Sequence, residues 1–151
     1  MNDITLPRDA WSLLVFKAQH ELDARQQQLA QARARQVQME ASEKRLAHLL
    51  QEYRERQQAS LFGGQLMADS LNDRQFIAQL QRLLDQAMRA TAIAVRQTEA
   101  DAVAVDRARR ELEKAEKLRA KARSEERVRL ERRAQARQDE WAMMRFGRQD
   151  A

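Results

Sequence analysis

Apolar residues recur alternately every four and three positions along two stretches of the chain. A repeat of this spacing predicts an α-helix with an apolar seam that packs against another helix. Pro7 and Gly63-Gly64 bound the first stretch: proline is tolerated in the first turn of a helix, and paired glycines favour non-helical backbone. Thr5, just before Pro7, is a candidate cap, and the first helix is therefore predicted over about residues 7–60.

Most positions of the first seam are apolar, and polar residues interrupt them. Its predicted members are Trp11, Val15, Ala18, Leu22, Arg25, Leu29, Ala32, Gln36, Met39, Glu43, Leu46, Leu50, Tyr53, Gln57 and Ser60. The apolar majority is typical of a coiled-coil seam with polar interruptions.

A second helix is predicted over about residues 73–146, after a turn over about 61–73. Asn72 followed by Gln75 resembles a capping box, which marks a helix start. The predicted seam is half alanine: Phe76, Leu80, Leu83, Ala87, Ala90, Ala94, Gln97, Asp101, Ala104, Ala108, Glu111, Ala115, Leu118 and Ala122. Small residues allow a close approach to the bulkier first seam.

The fold class that follows is all-α, with two long helices in an antiparallel coiled-coil hairpin and the second helix longer. The chain 1–151 is expected to form a single coiled-coil domain. Facing positions should have numbers that add up to roughly 134 to 136, which places Trp11 near residue 124. At 1.5 Å per residue the helices would be roughly 80 Å and 110 Å long. The segment Glu126 to Phe146 is therefore expected to extend beyond the first helix and to gain apolar contacts from a partner.

The composition favours a fold that is held together by helix packing alone, without disulfides or bound metal ions. The chain has 3 Gly, 1 Pro, no Cys, 5% aromatic and 34% charged residues. Disulfides and thiolate metal sites are thereby excluded for this sequence. The start of the sequence lacks a basic signal-like region, and no apolar run approaches the roughly 18 residues of a membrane span. A soluble, cytoplasmic protein is expected.

No group of residues has the spacing of a catalytic or metal site. Gly63-Gly64 is not followed by the Gly-Lys-Ser/Thr of a phosphate-binding loop. His20 and His48 have no second ligand at helical spacing, and acidic pairs such as Glu125-Glu126 point about 100° apart on a helix. The sequence predicts a protein that is not an enzyme and that binds no metal or cofactor.

Charge is concentrated in residues 107–137, which carry 13 basic and 6 acidic side chains. Such a segment is compatible with nucleic-acid binding, because neutralised phosphates release counterions. Acidic residues interleave with the basic ones, as in Glu113 and Lys117, and favour an ordinary solvated helix and a protein partner over nucleic acid. A basic coiled coil that binds nucleic acid, a generic structural spacer and a dimer of hairpins remain alternatives.

Two apolar concentrations exceed what a two-helix seam buries. One flanks the turn and includes Leu46, Leu49, Leu50, Tyr53, Phe76, Ile77, Leu80, Leu83 and Leu84. The other joins Trp11, Leu14, Val15 and Phe16 with a tail that carries Trp141, Met143, Met144 and Phe146. Aromatic and methionine side chains beside arginine are enriched at protein interfaces.

Three stretches give the chain a resemblance to the FliJ/YscO family, the coiled-coil stalk proteins of flagellar and virulence-associated type III secretion systems. They are Tyr53-Arg54, the segment Arg74-Gln75-Phe76-Ile77-Ala78-Gln79-Leu80, and the tail that reaches Asp139-Glu140-Trp141-Ala142. The resemblance implies a non-catalytic stalk that inserts into the hexameric secretion ATPase ring. It also implies that the stalk promotes ring assembly and links the ring to the export-gate membrane protein at the inner membrane, with export chaperones as further candidate partners.

By match to the family, the export-gate contact is expected at Leu46, Leu49, Tyr53, Phe76, Leu80, Leu83 and Ala87. The resemblance assigns the ATPase contact to the helix ends, with Trp11, Leu14, Val15, Arg127, Arg133, Glu140 and Trp141 as candidates. No nucleic-acid contact and no membrane insertion are expected.

Overall fold

Two helices account for the structure of this chain. A computed structural model describes residues 9–64 and 67–149, in which helix α1 spans Ala10–Phe62 and helix α2 spans Met67–Gln149. No strand occurs among these residues. The contacts between the two helices are those of a helical hairpin whose second helix is longer, as the seam pattern predicted.

The helix bounds differ from the predicted ones at the turn. Helix α2 begins at Met67, six residues before the predicted start, and ends at Gln149. Asp69, Ser70 and Leu71 contain no helix breaker, so the helix begins ahead of Asn72, which lies inside it and caps nothing. Pro7 and Thr5, the predicted first helical residue and a candidate cap, lie outside the described residues.

Asp9 caps the N-terminus of α1. Its side-chain Oδ1 accepts a hydrogen bond from the Ser12 N–H, and its backbone carbonyl accepts one from the Leu13 N–H at 3.1 Å. At the other end the Gly63 N–H donates to the Ser60 carbonyl at 3.1 Å, and Gly64 has a φ of 75°, which only glycine adopts without strain. Local hydrogen bonds therefore cap both ends of α1, and Gly64 provides the backbone conformation that follows its last turn.

The chain divides into two compact units. We call Ala24–Asp106 the turn unit, and the described residues up to Asp23 together with those from Arg107 onward the terminal unit. In the turn unit, the Arg54 guanidinium donates to Gln81 Oε1 at 2.8 Å. In the terminal unit, Arg123 donates to Ser12 Oγ at 3.5 Å. The numbers of each pair add up to 135, in agreement with the predicted antiparallel register.

Buried seam residues hold each unit together. In the turn unit they are Leu29, Ala32, Leu50, Leu80, Ala94 and Val105, each at most 8% exposed. In the terminal unit they are Leu22, Ala108, Leu112 and Ala115, each at most 9% exposed. Small side chains of α2 thus pack with leucines of both helices, as the alanine-rich pattern indicated.

The α2 seam differs in phase from the prediction at five positions, whereas the alternate predicted members Ala90 and Ala104 are half-buried. The buried and half-buried residues step through Ile77, Leu80, Leu84, Ala87, Thr91, Ala94, Thr98, Asp101, Val105, Ala108, Leu112, Ala115, Arg119 and Ala122. The predicted members Phe76, Leu83, Gln97, Glu111 and Leu118 are exposed instead. The sequence carries apolar residues at adjacent positions such as Phe76-Ile77 and Leu83-Leu84, so either phase satisfies the pattern until the facing helix selects one.

Polar residues in the seam are satisfied within their own helices. Thr91 and Thr98 donate hydroxyl hydrogen bonds to the carbonyls of Ala87 and Ala94 at 2.9 and 3.0 Å. Gln97 donates to Asp101 Oδ1 at 3.0 Å, which leaves Asp101 half-buried with a partner. No buried side-chain polar atom without a partner occurs in the described part of the chain. The polar residues therefore reduce the apolar burial in the seam, but they add no cost of a buried polar group that lacks a hydrogen bond.

The seam phase predicts that alanine substitutions of two valines lower the free energy of unfolding by different amounts. Val105 is 5% exposed and Val103 is 57% exposed. We expect Val105→Ala to lower the free energy of unfolding by about 1.5–2.5 kcal/mol, because two buried carbons and their contacts are lost. Val103→Ala should change it by less than about 0.5 kcal/mol. Urea unfolding followed by far-UV circular dichroism measures both, and equal losses would contradict the observed phase.

The hydrogen bond at the cap predicts that the contribution of Asp9 to the stability of α1 depends on pH. The hydrogen bond from the Ser12 N–H is the main factor that lowers the pKa of Asp9; the Ser12 hydroxyl and the charges of Arg123 and Arg119 add to it. Because the folded-state pKa lies below the unfolded value of about 3.9, the capping contribution is present above that value. It is lost as the pH falls through the folded-state pKa.

An NMR titration of the Asp9 carboxyl should give a midpoint below about 3.9. Asp9→Asn keeps the acceptor and should remove this titration while α1 still begins at the same residue. A midpoint at or above the unfolded value would show that the cap is not formed in solution.

Candidate surfaces for protein partners

The residues predicted to contact an export gate all lie in the turn unit, on the paired segments of α1 and α2 that adjoin the turn. Their exposure divides them into three groups. Phe76 and Leu83 are 39% and 48% exposed, whereas Leu80 between them is 3% exposed. Leu46, Leu49, Tyr53 and Ala87 are half-buried. In this conformation the apolar surface is therefore provided by Phe76 and Leu83, with Leu80 as the core residue beneath them.

Aromatic contacts fix the position of Phe76. Its ring centroid lies 4.6 Å from that of Tyr53 on the facing helix, with the ring planes at 55°. The Arg56 guanidinium lies 5.5 Å from the Tyr53 centroid, within the range of a cation–π contact. Phe76 is thus held at the surface by Tyr53 and is not a freely moving side chain on an isolated helix.

At the start of α1, the predicted ATPase-contact residues are partly exposed. Trp11 and Leu14 are 39% and 47% exposed, and Val15 is half-buried. Phe16, 46% exposed, stacks on His20 with ring centroids 6.3 Å apart. An aromatic and aliphatic patch therefore lies at this end of the terminal unit.

We call residues 124–149 of α2 the exposed segment, because every one of them is exposed. It contains the other predicted ATPase contacts, Arg127, Arg133, Glu140 and Trp141. Its helix is stabilised internally: Arg129 pairs with Glu126 at 2.8 Å, and Arg127 lies 4.0 Å from Glu131. No packing against α1 buries any of its residues, as was expected for a helix that extends past its partner.

The end of the exposed segment carries large apolar side chains. Trp141, Met143, Met144 and Phe146 are between 66% and 77% exposed. The Arg145 guanidinium lies 5.3 Å from the Trp141 ring centroid. Aromatic, methionine and arginine side chains in one place are the composition of an interface centre.

The described residues hold no candidate metal site, that is, no group of three or more His, Cys, Asp or Glu side chains with suitable positions. His48 pairs with Glu52 at 3.1 Å on the surface of α1. In the part of the chain that the structure describes, neither helix contains a stretch long and apolar enough to cross a membrane.

Sequence reasoning missed one exposed apolar feature beside the turn. Leu61 and Phe62, at the end of α1, are 67% and 94% exposed. The apolar pattern predicted them only as residues of the turn. The available signal was their position directly before two glycines, which have no side chains to cover them.

Comparison with family models decides the relationship of the chain. The model for the flagellar FliJ protein matches residues 12–151. The chain belongs to this family. The match covers both helices almost completely and includes every candidate contact residue except Trp11. Comparisons with curated proteins and with solved structures gave no match. Members of this family are structural components of the flagellar export apparatus and interact with other proteins of that apparatus.

The exposure difference between Phe76 and Leu80 predicts separate outcomes for two alanine variants. Leu80→Ala should lower the free energy of unfolding by about 2–4 kcal/mol, because it opens a cavity in the seam. Phe76→Ala should cost less, about 1 kcal/mol, because its ring is only partly buried against Tyr53. Thermal and urea unfolding of both variants measure the difference. A larger loss for Phe76→Ala than for Leu80→Ala would contradict the observed packing.

Proposed function

We propose that this chain is a non-catalytic stalk protein of a type III export apparatus. Its helix ends insert into the hexameric ring of the secretion ATPase and promote ring assembly and activity. Its turn unit contacts the export-gate membrane protein. The chain therefore acts at the cytoplasmic face of the inner membrane, attached through these partners.

The observation that carries this proposal is the exposed segment in a member of the FliJ family. A helix of 26 residues with no side chain buried has no packing partner in the described chain. Helices in proteins gain most of their stability from tertiary contacts, so a segment without such contacts is suited to pack against a second protein. The four apolar side chains at its end supply the surface for that contact.

Electrostatics supports a protein surface with acidic groups as the binding site of this part of α2. Residues 107–137, which overlap the first half of the exposed segment, carry a net charge of +7, from 13 basic and 6 acidic side chains. The exposed segment itself carries 7 basic and 5 acidic side chains, a net charge of +2. Arginines within the segment pair with glutamates one helical turn away, as Arg129 does with Glu126. Interleaved carboxylates oppose binding along a phosphate backbone and instead suit a protein surface with charges of both signs.

The exposure of Trp141 suits the same function. The side chain is 66% exposed in the chain, although tryptophan is among the residues that contribute most when buried at an interface. In the proposed complex, Trp141 and the neighbouring methionines would be covered by the ATPase ring. The stalk would bind there through burial of these apolar side chains, and the net positive charge of residues 107–137 would orient it.

The proposal predicts that the chain raises the ATPase activity of the secretion ATPase and increases the fraction of ATPase found as hexameric rings. Turnover of ATP and ring counts in negative-stain micrographs, with and without the chain, measure the two effects. No change in either would overturn the proposed function.

Trp141→Ala should weaken ATPase binding by about tenfold or more, as loss of an interface tryptophan typically does, without lowering helicity. Phe62→Ala is the matched control, because Phe62 is also an exposed aromatic residue but belongs to the turn unit. Equal effects of the two variants on ATPase binding would place the contact elsewhere.

A further inference from the structure

Beside the turn, α2 carries two neighbouring sets of residues that are suited to its seam with α1. We call Ile77, Leu84 and Thr91 the observed set, because they face the seam and are half-buried. Leu80 and Ala94, at 3% and 5% exposed, adjoin both sets around the helix. Each member of the observed set is directly preceded by a member of a second set, which we call the alternative set: Phe76, Leu83 and Ala90.

The two sets are similar in the apolar surface that they offer. The observed set consists of an isoleucine, a leucine and a threonine, and the alternative set of a phenylalanine, a leucine and an alanine. Ala90 is already half-buried, and Phe76 and Leu83 are 39% and 48% exposed. Hydrophobic stabilisation is roughly proportional to the apolar area removed from water. Exchange of one set for the other would therefore change the stability of the seam little.

The winding of α2 relates one set to the other. Thr98 and Val105 continue the seven-residue spacing of the observed set, which is the repeat of a supercoiled helix pair. In a straight α-helix, residues about eleven apart lie almost in line, and Leu83 is eleven residues from Ala94, as Ala94 is from Val105. Over the three heptads from Val105 back to Leu84, a straight helix turns by about 60° relative to a supercoiled one. This rotation brings Leu83 to the seam in place of Leu84.

Hydrogen bonds within α2 do not oppose this rotation. Thr91 and Thr98 donate to carbonyls of their own helix at 2.9 and 3.0 Å, and such bonds are kept when the helix turns as a whole. The hydrogen bond of 2.8 Å from Arg54 to Gln81 crosses between the helices. The rotation that brings Leu83 to α1 turns Gln81 away from it. The bond between Arg54 and Gln81 therefore belongs to the observed arrangement alone and favours it.

We propose that the part of α2 beside the turn alternates between two seam phases. In the observed phase, Ile77 and Leu84 pack against α1, and Phe76 and Leu83 lie at the surface. In the second, straighter phase, Phe76 and Leu83 fill the seam, and Ile77 and Leu84 are exposed on its other side. Val105 stays in the seam in both phases, so the change is a twist of α2 within the turn unit.

This switch controls whether the surface formed by Phe76 and Leu83 is available. The second phase withdraws it into the seam, and any partner that contacts these two side chains holds the observed phase. Because the bond between Arg54 and Gln81 favours the observed phase, the second phase is expected in about 0.1–10% of molecules, as is typical of a minor conformation. The inference concerns the chain alone and does not depend on the proposed function.

Single-cysteine labelling detects the two phases, because the chain contains no native cysteine. Ala90→Cys reports on the alternative set, and Thr91→Cys reports on the observed set. Both positions are half-buried, so the two thiols start from comparable exposure. In the second phase the thiol at position 90 is more buried, and the thiol at position 91 is more exposed. A change of phase therefore shifts the two labelling rates in opposite directions, whereas local opening of the hairpin raises both.

Two adjacent substitutions with the same change of charge select the phases. Leu84→Glu places a carboxylate in the observed seam, and the second phase returns it to water, because burial of an unpaired charge is unfavourable. We expect labelling to become slower at position 90 and faster at position 91, each by about threefold or more, with far-UV circular dichroism retained. Leu83→Glu disfavours the second phase. It should slow labelling at position 91 and change labelling at position 90 by less than about twofold.

Three outcomes for Leu84→Glu would overturn the inference. Faster labelling at both positions would show that the helices separate without a second packing. Unchanged labelling at both positions would show that α2 keeps a single phase. Loss of helicity would show that no second seam is available to the altered helix.

Arg54→Ala gives a second measurement that places no charge in the seam. It removes the hydrogen bond of the observed phase, so the ratio of the labelling rate at position 91 to that at position 90 should rise by about two- to fivefold. Arg45→Ala is the matched control, because Arg45 is also exposed but bonds Ser42 of its own helix at 3.3 Å. Equal effects of Arg54→Ala and Arg45→Ala on this ratio would overturn the two-phase seam.

Discussion

Burial along a narrow seam is the interaction on which this structure depends. Ten apolar side chains in the described part of the chain are at most 9% exposed, and none is below 2%. Five of the ten residues are leucines, and four are alanines that allow the helices to approach closely. Because so little side-chain surface is removed from water, helix propensity and local hydrogen bonds within each helix contribute a large share of the stability. The remaining apolar side chains of the described residues are half-buried or exposed, and the exposed ones are available to contact a partner.

The seam also explains why the two candidate surfaces differ. In the turn unit both helices are present along the whole seam, so a partner meets a two-helix surface. In the terminal unit α2 continues past the pairing of Ser12 with Arg123 as a single exposed helix. A partner at that end meets a helix accessible from all sides, which suits enclosure by a ring. In the proposed function both surfaces serve one export apparatus.

Much of this fold could be read from the spacing of apolar residues. The two helices, their antiparallel register and the greater length of α2 follow from heptads, Gly63-Gly64 and the alanine-rich second seam. The phase of α2 could not be read, because Phe76-Ile77 and Leu83-Leu84 offer apolar residues to both phases and the choice depends on the facing helix. The cap at Asp9 was missed because Pro7 and Thr5 gave a more familiar start signal. For the candidate surfaces, the pattern located the residues that adjoin the turn but did not separate core Leu80 from exposed Leu83. That distinction requires the orientation of each side chain relative to α1.

The central claim is that one chain serves two partners through separate surfaces, the turn unit for the gate protein and the exposed segment for the ATPase ring. The most direct measurement is the mass of the assembly formed when the chain, the secretion ATPase and the cytoplasmic part of the gate protein are mixed, by size-exclusion chromatography with light scattering. The account predicts a single species that contains all three proteins, with the affinity for each partner little changed by the other. Displacement of one partner by the other would show that both use the same surface and would contradict the account.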